Sequence, residues 1–155
     1  MILDLGDGWR VRPLRLEDAG ALFEVLSDPE TMRYVELPFS RERTERFIRE
    51  AGMGEPPMVY ALADARDVCR GHVIWHAQAD GFREIGWILH PAARGRGLAR
   101  RITGALIERA RAEGAPGCLI ECAPEQAISR RVAEALGFAP EEERDGLFVW
   151  RLRLS

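Results

Sequence analysis

The chain has 155 residues, 46% hydrophobic and 30% charged, with a net charge of −3; that is enough chain for one domain with a real core. The mild acidity argues against generic nucleic-acid binding, which calls for a basic face. No apolar run approaches the roughly 20 residues of a membrane helix, and the opening Met-Ile-Leu-Asp-Leu-Gly lacks the basic and apolar regions of a signal peptide, so a cytoplasmic protein is expected.

Two residue types are missing altogether. All 22 basic residues are Arg, because the sequence contains no Lys, and it contains no Asn either. Schiff-base chemistry and a Lys-bearing Walker loop are thereby excluded, as is N-glycosylation. Cys69, Cys118 and Cys122 show no CxxC spacing, which fits buried free thiols in a reducing compartment.

In chain order, Trp9, Val11 and Leu14 among arginines predict a first strand. Leu16, Ala19, Leu22, Phe23 and Leu26 recur at helical spacing and predict a helix ending before Asp28-Pro29. Ser40 suits the N-cap of a second helix over 41–51, stopped by Gly52. Strands follow over 58–63, 69–77 and 82–89, joined by polar turns at 64–67 and at Asp80-Gly81, as an antiparallel meander. A helix over 97–113 and a short apolar strand over 118–122 complete a parallel crossover. A further helix over 125–136 ends at Gly137, and Asp145-Gly146 sets up a final hairpin into 147–154. The order predicts a single mixed α/β sandwich, not a doubly wound sheet.

The strongest chemical signal is the segment between strand 82–89 and the helix after it, Arg94-Gly95-Arg96-Gly97-Leu98-Ala99. Two glycines let the backbone approach a ligand, and the first helical turn leaves amides free beneath a positive dipole end. A pyrophosphate docks in such a place, with Arg94, Arg96, Arg100 and Arg101 adding charge. A Rossmann reading fails for want of the third glycine of GxGxxG.

This segment matches the (Arg/Gln)-x-x-Gly-x-(Gly/Ala) signature of the GNAT acetyltransferase superfamily. Glu84-Ile-Gly-Trp-Ile-Leu-His-Pro91 resembles that family's fourth strand, and Ser129 through Leu136-Gly137-Phe138 its last helix and following strand. Leu14-Arg-Leu-Glu-Asp-Ala19 and Leu26-Ser-Asp-Pro-Glu-Thr-Met-Arg-Tyr34 resemble the opening of the branch that acetylates N-termini of ribosomal proteins. The resemblance implies an α+β sandwich with a mixed, mostly antiparallel twisted sheet of about seven strands and helices on both faces. It implies one acyl-CoA N-acyltransferase domain over 1–155, using acetyl-CoA as acetyl donor and no metal.

The resemblance also assigns roles. The loop from Arg94 through Gly95, Arg96, Gly97 and Leu98 to Ala99 would hold the CoA pyrophosphate. Leu89 and His90 would offer backbone hydrogen bonds to pantetheine and the thioester. Gln126 stands where the family often carries an Asn on the pantetheine arm, and Ser129 matches a commonly retained serine. Glu84 occupies a position that carries the general base in the histone-acetylating branch; Glu121 is the second choice. Ala133 stands where many members place the Tyr that protonates the CoA thiolate.

The function expected is acetyl transfer from acetyl-CoA to a primary amine, a protein N-terminus or a small molecule, by direct attack in a ternary complex. The alternative is a non-catalytic acyl-CoA-binding or regulatory module of the same fold. A homodimer is compatible with either reading; membrane and nucleic-acid partners are not expected. His72 and His76 share a strand face but lack an evident third metal ligand. Cys118 and Cys122, and Trp75, Trp87 and Trp150, read as core.

Overall fold

The computed structural model describes residues 1–155. Eight strands form one sheet in the order β1-β2-β3-β4-β5-β6-β8-β7, accompanied by four α-helices. The strands are β1 (Leu3–Gly6), β2 (Trp9–Arg12), β3 (Val59–Ala63), β4 (Cys69–Ala77), β5 (Arg83–Leu89), β6 (Gly117–Cys122), β7 (Ala139–Arg144) and β8 (Leu147–Arg153). The helices are α1 (Ala19–Leu26), α2 (Arg41–Phe47), α3 (Leu98–Ala112) and α4 (Ala127–Ala135). No helix is long and apolar enough to cross a membrane.

The chain divides into two compact units, residues 1–74 with 87–98 and residues 75–86 with 99–155. In the first, β1–β2, β2–β3 and β3–β4 pair antiparallel. Its core gathers Leu14, Leu22, Leu26, Met32 and Ile48 around Val59 and Ala61. α1 buries Ala19, Leu22, Val25 and Leu26, the stripe expected of an amphipathic helix. Ser40 caps α2, its Oγ accepting the Arg43 amide at 3.1 Å, an arrangement typically contributing about 1 kcal/mol. Past Phe47 the helix widens into a π turn over Ile48–Gly52, so the α-helix is shorter than the 41–51 predicted.

The sheet has one strand more than the seven read from the sequence. β1 and β2 close on Asp7-Gly8, both with positive φ (55° and 83°), the backbone of the tightest hairpin turns. With Leu3 and Leu5 the only apolar residues in four, β1 carries too short an alternation to be read alone.

In the second unit α3 buries Ile102, Leu106 and Ala110. β6 pairs antiparallel with β8, matching Cys118 to Leu152, Ile120 to Trp150 and Cys122 to Phe148. β7 pairs with β8. β5 and β6 run parallel, Arg83 opposite Cys118 and Glu84 opposite Leu119.

β4 and β5 form a hairpin whose register is fixed at both ends. The Gln78 amide donates to the Phe82 carbonyl at 2.8 Å, and the Gly81 amide to the Gln78 carbonyl at 3.0 Å. At the far end the His90 amide donates to the Arg70 carbonyl at 2.8 Å. The Gln78–Phe82 and His90–Arg70 bonds share one register, which sets His76 directly across from Glu84. Directly opposed residues project from the same face of a sheet.

Candidate active site

β5 runs out through Leu89 and His90 into a short turn, Pro91–Ala93, and then the glycine segment. Gly95 and Gly97 have φ of 73° and 72°, and a Cβ at either would meet nothing within 4 Å. Backbone conformation, not space, therefore requires glycine there. α3 begins at Leu98, so the segment delivers the open amides of a 15-residue helix at an exposed turn. Those amides and the helix dipole suit an anion.

The arginines around this turn divide. Arg94 is turned back on its own chain: Nε and Nη2 donate to the Leu89 carbonyl at 3.2 and 3.0 Å, and Nη2 also to Thr31 Oγ1 at 3.0 Å. Thr31 in turn donates to Asp28 at 2.6 Å, and that bond holds the Asp28 carboxyl below its ordinary range. Arg94 thus braces the end of β5. Arg96 donates to the Ala92 carbonyl at 3.1 Å and lies over the Trp9 ring.

The expectation for His90 needs correcting at the atomic level. Its amide is committed to Arg70, and its carbonyl accepts from Ala93 at 2.8 Å. Its side chain caps the following turn, Nδ1 accepting the Ala92 amide at 2.9 Å. His90 shapes the exit from β5, and in this arrangement its amide is not a free donor.

Glu84 and Glu121 both fall in the second unit, where Glu84 has a defined set of neighbours. Its Oε1 accepts from Gln78 Nε2 at 3.2 Å, and its Oε2 lies 3.6 Å from His76 Nε2. The His76 and Glu84 side chains are only 20% and 19% exposed. Glu121, on β6, lies 3.7 Å from Arg144 Nη1, whose other Nη bonds Glu142 at 2.7 Å. Burial pushes the Glu84 carboxyl above its ordinary range; His76 opposes that shift, the negative charge of Glu121 adds to it, and Arg144 opposes it weakly. A shielded carboxylate with raised proton affinity is a proton acceptor suited to a substrate ammonium near neutral pH.

Gln126 turns inward to its own loop, Oε1 accepting the Ala123 amide at 2.7 Å. Ser129 is half-buried in the first turn of α4, and Ala133 is fully buried. His72 does not join His76 in a shared cluster. It is buried against Phe47, ring centroids 5.1 Å apart, with Nδ1 lacking a hydrogen-bond partner. Burial lowers its pKa to about 4. The three cysteines are buried and free, and burial pushes the Cys69 and Cys118 thiols up to about 11, which leaves them poor nucleophiles at neutral pH. Sequence reasoning missed His76, Gln78 and Arg144 as neighbours of the carboxylates. The Asp80-Gly81 turn held the signal for the first two, because counting back from it pairs His76 with Glu84.

Residues 9–139 match the family described as the acetyltransferase (GNAT) domain. The chain belongs to the GNAT acetyltransferase family. It is 31% identical over 136 residues to glucosamine 6-phosphate N-acetyltransferase 1 of Oryza sativa subsp. japonica, covering 77% of this chain and 76% of that protein. Among solved structures, a GNAT-family acetyltransferase from Bacillus anthracis superposes with a TM-score of 0.86 at 20% identity, over 99% of this chain and 98% of the other. The ribosomal L7/L12 alpha-N-protein acetyltransferase RimL, in complex with coenzyme A, gives 0.82 at 16% identity, over 99% and 98%. The mixed, mostly antiparallel sheet is that of these GNAT structures.

Proposed function

We propose that residues 1–155 act as one N-acyltransferase domain that moves acetyl from acetyl-CoA to a primary amine by direct attack in a ternary complex. The observation that carries this reading is the half-buried Glu84 carboxylate, on the strand that leads into the Gly95–Gly97 turn of a GNAT acetyltransferase. That a GNAT neighbour holds coenzyme A supports the choice of donor.

In this reading the amides from Gly95 to Ala99 receive the pyrophosphate of CoA, and Leu89 supplies backbone contacts to the pantetheine arm. Arg94 supports them indirectly by fixing the end of β5. Gln126 and Ser129 line the arm at the start of α4.

The acceptor arrives as an ammonium. Glu84 takes one proton, directly or through water, and the freed nitrogen lone pair attacks the thioester carbon. A carbon–nitrogen bond forms, the carbon–sulfur bond breaks with CoA leaving as the thiolate, and the nitrogen gives up its second proton to solvent to leave the neutral amide. Backbone amides aimed at the carbonyl oxygen stabilise the negative charge as it develops. An α-amino group titrates at about 7.7–8.0, within reach of a tuned carboxylate, whereas a side-chain ammonium near 10.4 needs more help. Glu121 is the alternative base. The buried Ala133 offers the thiolate no proton, so solvent supplies it.

A thiol-release screen with acetyl-CoA tests the reading. The panel contains N-terminal peptides, polyamines and amino sugars, with glucosamine 6-phosphate among them because of the rice relative. Glu84→Gln should lower kcat/KM on the best acceptor by about a hundredfold. Wild-type rates in both Glu84→Gln and Glu121→Gln would remove the carboxylate base. Saturable CoA binding with no thiol release on any amine would replace the enzyme with an acyl-CoA-binding module.

A further inference from the structure

We propose that His76, assisted by Gln78, is a positioning residue that orients the Glu84 carboxylate and keeps it in the ionised, proton-accepting form. This inference rests on Glu84 being the base.

The argument starts from the hairpin. The turn at 78–82 and the bond between His90 and Arg70 share one register, so His76 and Glu84 stand opposite each other on one face. Each Glu84 oxygen then has its own neighbour. Gln78 donates to Oε1 at 3.2 Å, and His76 Nε2 lies 3.6 Å from Oε2. The Gln78 bond at one oxygen, with His76 standing against the other, restricts the rotation about the last bond that an isolated glutamate keeps. The productive orientation is then set before substrate arrives.

The charges around Glu84 make His76 the decisive one. The groups that face it are His76 from β4, Glu121 from β6 and Arg144 from β7; Gln78 is neutral. Arg144 is shared between Glu121 and Glu142, at 3.7 and 2.7 Å. That leaves Glu84 with burial and a neighbouring carboxylate on one side of the balance and His76 on the other. Burial and the Glu121 carboxylate oppose ionisation, so a glutamate here without His76 sits protonated over more of the pH range, and a protonated carboxyl accepts nothing. Glu84 must still bind a proton readily once the ammonium arrives, and this opposed arrangement provides both properties.

The test reads Glu84 itself and needs no acceptor. In protein labelled with ¹³C at the Glu side-chain carboxyls, the Glu84 resonance is the one missing from Glu84→Gln. His76→Gln, close in size, should raise the Glu84 titration midpoint by about half a pH unit or more. His76→Lys, which places a cation at that position, should bring it back to or below its original value. With the acceptor found by thiol release, the acidic limb of kcat/KM should move upward in His76→Gln by the same amount and return in His76→Lys. An unmoved midpoint in His76→Gln overturns the assignment, as does an equal rise in both variants, since shape and not charge would then be responsible. Wild-type rates in Glu84→Gln remove the base and the role of His76 together. A large loss there with an unmoved midpoint in His76→Gln overturns the role of His76 alone.

Discussion

Two groups of carboxylates and cations, one in each unit, have opposite characters. In the first unit Arg12 is 5% exposed and Asp18 7%. The guanidinium grips Asp18 with two bonds of 2.9 and 2.8 Å and reaches Asp67 from Nε at 2.7 Å. Asp67 is also held by Arg10 and Arg15. Hydrogen bonds from these arginines hold the Asp67 carboxyl far below its ordinary range, and the bond to Asp18 raises Arg12. In the second unit Glu84 faces a second carboxylate with fewer cations, and its carboxyl is raised. Charges that satisfy one another tie strands and loops together. Charges left out of balance keep the capacity to exchange a proton, which is what chemistry needs.

Removing one partner of the balanced group should have the largest effect. Arg12→Ala leaves Asp18 buried without its cation and should cost about 3–5 kcal/mol, read as the shift in a urea unfolding midpoint. A loss under about 1 kcal/mol would mean that the network is ornamental.

His72 is the first unit's own unbalanced group, buried with no opposite charge to compensate. Its pKa is lowered from 6.5 to about 4, so the folded state excludes a proton that the unfolded chain accepts. The sign follows: stability is intact above about pH 6.5, falls as the pH drops towards 4, and is level below that. The shift corresponds to about 3 kcal/mol at most. His72→Leu should flatten this part of the stability–pH curve, and an unchanged slope would assign it to other groups.

Glu84→Gln should separate function from stability. Activity falls about a hundredfold, while the melting temperature stays level or rises, because a carboxylate that is costly to bury has been replaced by a neutral amide. A drop in stability like that of Arg12→Ala would place Glu84 with the structural charges. Glu121→Gln should have the smallest effect: it removes a negative neighbour and moves the acidic limb of kcat/KM down by a few tenths of a pH unit.

Local signals made most of the fold legible. The strand over 69–77 is legible to the residue because Val73, Ile74 and Trp75 stand together between two polar turns, and α3 to within one residue at each end because its apolar stripe begins just after two glycines. β1 was not legible, since four residues carry too little pattern to stand out. In the site, Gly95 and Gly97 announce themselves by type, and their positive φ follows from it. Arg94 does not: an arginine beside a phosphate loop reads as a ligand for the phosphate, and only tertiary geometry shows it spent on Leu89 and Thr31. His76 and His72 looked alike on one strand face, and the difference in their surroundings sets one against a carboxylate and the other against Phe47.

The hairpin at 78–82 carries a constraint on how this chain can change over time. Substitutions within the turn cost little as long as Gly81 keeps its φ of 88°. Inserting or deleting a single residue is another matter. Side chains alternate faces along a strand, so a slip of one position would carry His76 to the far side of the sheet from Glu84. Gln78 would go the same way. Relatives that retain this pair should therefore vary the turn's composition freely and conserve its length.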